Sequence, residues 1–103
     1  MKKPIFITIP TTSGTGSEVT SAAVITDVES KSKHLILDND ILADIAILDP
    51  TLTLSVPPAV TANTGMDVLT HALEAYVASG ANVFSDALSE KAVELLLESL
   101  LVC

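Results

Sequence analysis

Cysteine occurs once in the 103-residue chain, at Cys103, so no disulfide can form within it and a reducing compartment is expected. Basic residues are nearly as scarce. The five stand at Lys2, Lys3, Lys31, Lys33 and Lys91 against 13 acidic residues, for a net charge of −8. Nucleic acid and anionic membrane surfaces both call for a basic patch, which lysines this dispersed do not make. Aromatic residues are 3% of the chain, unusually few for a free-standing small domain. No apolar run is long enough to cross a bilayer. The run Ile5 to Ile9 is too short for a signal peptide and has no small-residue cleavage site after it, so a cytoplasmic protein is expected. Also missing are a G-x-G-x-x-G fingerprint, a P-loop, a Ser-His-Asp set and any internal repeat.

What is present is aliphatic. Apolar residues are 49% of the chain and are mostly Ile, Leu, Val and Ala, the usual lining of an α/β interior. Such a composition at this length suits a piece of a larger fold. Ile5–Ile9 predicts a buried strand stopped by Pro10. The loop after it, Thr11-Thr12-Ser13-Gly14-Thr15-Gly16-Ser17-Glu18, combines two glycines with five hydroxyl side chains. Main-chain N–H groups and hydroxyls there can approach a phosphate or a ribose, although by pattern alone an ordinary polar loop is the commoner case.

A second strand is predicted over Ala22–Asp27, a charged turn over Val28–Lys33 and an antiparallel partner over His34–Leu37. Asp44–Pro50 reads as a further short strand and Thr51–Val56 as a connector. Pro57-Pro58 then starts a helix, since proline is favoured in the first turn, where its missing N–H costs nothing. Ser79–Asn82 ends it. Ser85-Asp86 opens a second helix, whose predicted packing stripe is Leu88, Ala92, Leu95, Leu96, Ser99 and Leu100, with Glu94 and Glu98 solvated.

Within the first helix Asp67 and His71 stand four residues apart and so share a face. Val68, Leu69, Ala72, Leu73, Ala75 and Tyr76 fill much of the rest of the circumference, which places the pair on a buried or cleft-facing surface. A carboxylate with a neutral imidazole suits a divalent metal such as Fe, Zn, Ni or Mn. By spacing alone the commoner reading is a capping-box-like start at Thr64-x-x-Asp67, with His71 a core histidine bonded to a backbone carbonyl. A helix running from Pro58 through Thr64 would remove the capping explanation. His34 reads as a surface or cofactor-side residue, and Glu74 as a helix-pairing or supporting residue rather than a ligand.

The run Thr64-Gly65-Met66-Asp67-Val68-Leu69-Thr70-His71-Ala72-Leu73-Glu74-Ala75-Tyr76-Val77 resembles the signature of the iron-containing (group III) alcohol dehydrogenases. The resemblance implies a dehydroquinate synthase-like fold, an α/β nucleotide-binding domain followed by an all-α metal-binding domain. Residues 1–56 would be the end of the first and residues 57–103 the start of the second. It also implies that Asp67 and His71 are two of four metal ligands, for Fe2+ or Zn2+. Thr11, Thr12, Ser13, Gly14, Thr15, Lys33 and Thr53 are implied to hold NAD or NADP. Ala22 stands where relatives often carry an asparagine able to bond the cofactor.

The implied reaction is alcohol/aldehyde interconversion by hydride transfer, with the ion as Lewis acid and no side chain needed as base. Small-molecule alcohols or aldehydes would be the partners, with association into a homo-oligomer or with missing segments. The family's upstream glycine loop and its two downstream histidines have no counterpart in this sequence. An inactive remnant serving as a packing or association module is therefore the alternative.

Overall fold

The computed structural model describes residues 4–100. Lys2, Lys3 and Cys103 lie outside the described residues. The chain divides into two compact units that interleave in sequence, one of Met1–Pro10 with Gly16–Pro50 and the other of Thr11–Thr15 with Thr51–Cys103.

The first unit contains two small sheets. Strands β1 (Ile7–Thr8) and β4 (Ile45–Ala46) pair in parallel, Ile7 opposite Ile45 and Thr8 opposite Ala46. The pairing is fixed at its start by Asp44, whose carboxylate accepts from the Phe6 N–H at 2.8 Å, and further on by the Ile47 N–H donating to the Thr8 carbonyl at 2.9 Å. The apolar run from Ile5 predicted a buried strand of five residues. Only two pair, and Ile5, Ile7 and Ile9 are all exposed; a parallel strand of this composition is buried only where other layers cover it. The β4 pairing is likewise two residues long, and a 3-10 turn over Pro50–Thr53 replaces the connector read from Thr51.

Strands β2 (Ala22–Asp27) and β3 (Ser32–Leu37) form an antiparallel hairpin in which Ala22 faces Leu37 and Asp27 faces Ser32. The pairing reaches two residues further into the predicted turn, because hydroxyls close that turn. Asp27 accepts from the Glu29 N–H at 2.9 Å and the Ser30 hydroxyl at 2.6 Å, Ser30 and Ser32 share a hydrogen bond of 2.7 Å, and Ser32 meets His34 Nε2 at 3.0 Å. Lys31 completes the turn at φ 52°.

The Ser30 hydroxyl, and then the Glu29 and Ser30 backbone N–H groups, hold the Asp27 carboxyl below its ordinary value of 3.8. A lowered native pKa means that this support is whole above the unfolded value and is lost as pH falls through the native one. We expect hydrogen exchange in residues 22–37 to quicken as pH drops below about 4, after correction for intrinsic rates, and Asp27→Asn to show the quickened behaviour already at pH 7. Equal protection of parent and variant at pH 7 would refute this.

The second unit is an antiparallel helix pair, α1 (Pro58–Val77) and α2 (Val83–Leu100). Pro57 and Pro58 open α1 as the sequence predicts. Asn82 opens α2: its Oδ1 accepts from the Phe84 and Ser85 N–H groups at 3.0 and 3.3 Å, while the Ser85 hydroxyl accepts from the Asn82 N–H at 2.8 Å. This reciprocal cap moves the start back from the Ser85-Asp86 predicted.

The predicted stripe on α2 needs correction too. The residues turned toward α1 are Ser89, Ala92, Val93, Leu96 and Leu100, whereas Leu88 and Leu95 are exposed. The seam is built on small residues: Gly65, Ala72 and Ser89 are the buried positions of the pair, and a Cβ on Gly65 would sit 2.6 Å from Leu100 Cδ1. Close backbone approach, rather than the largest side chains, sets the rotation of α2. Among the described residues no helix is long and apolar enough to cross a membrane.

Candidate cofactor loop and metal pair

Helix α1 runs through Thr64, whose hydroxyl donates back to the Thr61 carbonyl at 3.2 Å, so Thr64 is interior and the capping-box reading of Asp67 fails. Asp67 Oδ1 and His71 Nε2 lie 3.8 Å apart on one face. Of the two placements expected for this pair, buried or cleft-facing, burial is excluded. Their side chains are 42% and 54% exposed, because α1 packs through its narrow small-residue seam and leaves Leu73, Tyr76 and Val77 open to solvent as well.

The loop Thr11–Thr15 packs in the same unit as α1. Gly14 has φ +145°, and a Cβ there would lie 2.3 Å from the Thr64 carbonyl oxygen, so loop backbone and helix backbone touch. Thr64, Asp67 and His71 follow the i, i+3, i+7 spacing of a single helical face. Three residues of helix rise about 4.5 Å. The loop therefore abuts the head of the stripe that carries the acid and the imidazole.

Beside this contact lies a cavity of about 490 Å3 lined by Ser13, Thr53, Thr61, Thr64 and Ser99 together with apolar side chains that include Val56, Val68 and Leu96. Ser13 and Thr53, both predicted cofactor contacts, thus share one cavity. Thr61 was not singled out from sequence, Thr64 was read only as a helix-start residue and Ser99 only as part of the α2 packing stripe; the helical phase of 61 and 64 relative to 67 is the signal that could have placed those two at the cavity. Lys33 is exposed in β3 opposite Thr26. Strand alternation puts it on the hairpin face opposite to His34, whose ring is engaged by Ser32, so the two do not act together. Thr11, Ser13 and Thr15 are exposed, Thr12 and Gly14 half-buried.

The donor set fits a divalent ion as far as it goes, one carboxylate oxygen and one imidazole nitrogen on adjacent turns. Among the described residues no group of three His, Cys, Asp or Glu side chains converges, and Glu74 does not join the pair.

Comparison with known proteins agrees with this architecture. An alcohol dehydrogenase from Oenococcus oeni superposes with a TM-score of 0.90 at 38% identity, covering 97% of this chain and 27% of its own. Sulfoacetaldehyde reductase from Bifidobacterium kashiwanohense, solved in complex with NAD+, gives 0.88 at 42% identity over 91% of this chain and 25% of its own. The small sheets followed by two helices match a stretch of that two-domain fold, the α/β part and the start of the helical part. Family models for iron-containing alcohol dehydrogenase match residues 1–50, and for the C-terminal part of the same family residues 61–102. The chain belongs to the iron-containing alcohol dehydrogenase family. It is 62% identical over 94 residues to 1-propanol dehydrogenase of Citrobacter freundii, covering 91% of this chain and 25% of that one. It is 54% identical over 99 residues to the aldehyde-alcohol dehydrogenase of Streptococcus pneumoniae serotype 4, covering 96% and 11%. The chain spans about a quarter of the length of the 1-propanol dehydrogenases it matches.

Proposed function

We propose that this chain carries part of the active site of an NAD(P)-dependent alcohol dehydrogenase, interconverting small alcohols and aldehydes. Residues 1–56 correspond in this reading to the end of the nucleotide-binding domain and residues 57–103 to the start of the helical metal-binding domain. The observation that carries it is the abutment of Gly14 on Thr64, which sets a hydroxyl-rich loop at the head of the Asp67/His71 stripe.

Asp67 and His71 supply two ligands to a divalent ion, iron in this family and zinc by the same donor chemistry. When bound, the ion supplies Lewis acidity toward an alcohol or aldehyde oxygen. Thr11, Thr12, Ser13, Gly14 and Thr15 offer main-chain N–H groups and hydroxyls to the nicotinamide nucleotide, NAD or NADP, with Thr53 at the shared cavity and Lys33 contributing a cation to the phosphates. These residues bind and orient; none is placed to move a proton.

Titration with Zn2+, or anaerobically with Fe2+, tests the metal assignment. Asp67→Ala and His71→Ala should each weaken binding at least about tenfold, the lower end of what loss of a mere supporting contact costs. Glu74→Ala should leave it unchanged. Equal binding by all three variants and the parent would remove Asp67 and His71 from the site.

The second reading is a remnant that performs no chemistry. It is favoured by the absence of a third converging ligand among the described residues.

A further inference from the structure

Two glycines of the loop region have positive φ, Gly14 at +145° and Gly16 at +61°, and they differ in one decisive way. A Cβ on Gly16 would meet nothing within 4 Å, whereas one on Gly14 would strike the carbonyl oxygen and carbon of Thr64 at 2.3 and 2.8 Å. Gly16 is needed only for its torsion angle. Gly14 is needed for its torsion angle and for the space its missing side chain leaves.

We propose that Gly14 is a positioning residue that sets the gap between the nucleotide loop and the metal-bearing face of α1. The proposal rests on the reading of Asp67 and His71 as metal ligands and of Thr11–Thr15 as the cofactor loop. Three features carry it. The contact is backbone to backbone, so no rotamer change can relieve an added methyl group. It falls on Thr64, which shares its face with Asp67 and His71 at i, i+3 and i+7, and also lines the cavity that holds Ser13. The carbonyl concerned belongs to the helix ladder, where residue 64 accepts from residue 68 one turn on. A push on Thr64 therefore reaches the turn that orients Asp67. Catalysis tolerates misplacement poorly, about 1 Å costing on the order of a hundredfold, so a fixed spacing between loop and ligand pair is itself functional.

The test is hydrogen exchange read by mass spectrometry on the full chain, which tolerates self-association. Without metal, Gly14→Ala should speed exchange at least about tenfold both in residues 11–15 and in the α1 turn from Thr64 to Val68, while the β2–β3 hairpin keeps its rate. Gly16→Ala, strained in φ but free of the clash, should leave α1 unchanged. The proposal is overturned if Gly14→Ala leaves α1 protected, or if Gly16→Ala loosens it as much.

A second measurement begins with the parent chain alone, and that part holds even where Gly14→Ala unfolds the unit. Millimolar Zn2+ should slow exchange in Asp67–His71 and, through the contact, in residues 13–15, but not in the hairpin. In Gly14→Ala the slowing should persist on α1 and vanish in the loop. Slowing on α1 without slowing in the parent's loop would overturn the coupling. No slowing at Asp67–His71 would instead refute the metal reading, and the metal-free comparison would then decide the role of Gly14 alone.

Discussion

Purified alone, loaded with Fe2+ or Zn2+ and supplied with NAD or NADP and short primary alcohols, this chain is expected to give no turnover above the buffer blank. Two protein ligands leave an ion mostly hydrated, and catalytic sites ordinarily hold theirs with three or more. The Asp67/His71 pair is about half exposed and gains no third donor among the described residues, so occupancy and geometry both suffer. The loop offers hydroxyls and two positive-φ glycines, but the sequence has no glycine fingerprint to cradle a pyrophosphate. Weak holding of ion and nucleotide multiplies, since misplacing the hydride donor relative to its acceptor by about 1 Å can already cost on the order of a hundredfold. Nicotinamide absorbance decides the matter. A robust rate that Asp67→Ala abolishes would overturn the expectation and show that the remaining ligands come from another polypeptide or another copy.

Self-association of the chain is the second large effect. Its accessible surface is 8120 Å2 for a mass of 10.7 kDa. A folded monomer of that mass exposes about 5,500 Å2, and two separate bodies of roughly half the mass about 6,600 Å2 in all. The excess of about 1,500–2,600 Å2 matches one partner's share of an obligate interface. Its composition points the same way. Val24, Leu35 and Leu37 are exposed on one face of the hairpin, Ile25 and Ile36 on the other, and Leu73, Tyr76 and Leu97 line an open groove of about 410 Å3 along the helix pair. Monomers rarely leave such patches uncovered. Light scattering should return at least twice the monomer mass, with bright binding of a hydrophobic dye. A monodisperse monomer that ignores the dye would contradict this.

The parts of the fold that were legible in the sequence are those decided locally. Proline cannot donate a backbone hydrogen bond, and Pro57-Pro58 marked the start of α1 correctly; the β-branched run Ala22–Asp27 forms β2 over those same residues. What the sequence hid depends on partners. Ile5–Ile9 has the composition of a buried strand, yet only Ile7 and Thr8 pair, since burial requires neighbouring layers that no local pattern encodes. Of the stripe expected on α2, Ala92, Leu96 and Leu100 turn toward α1 while Leu88, Leu95 and Ser99 are exposed, because the seam closes on Gly65, Ala72 and Ser89, small residues carrying little hydrophobic signal. Asp67 and His71 were visible as a spaced pair; their exposure was not. The contact of Gly14 with Thr64 joins residues fifty positions apart and has no local sequence signal.

The interleaving of the two units has a hereditary consequence. Thr11–Thr15 belongs with the helices although the segments on either side of it, up to Pro10 and from Gly16 to Pro50, belong with the strands. A single crossover between two genes of this family anywhere from Gly16 to Pro50 would join the loop of one parent to the helices of the other. Every such recombinant inherits a Gly14 and a Thr64 selected in different backgrounds. Exchange of the helical unit as an intact module takes two further joints around the five codons of the loop, far as these lie from the helices in the gene.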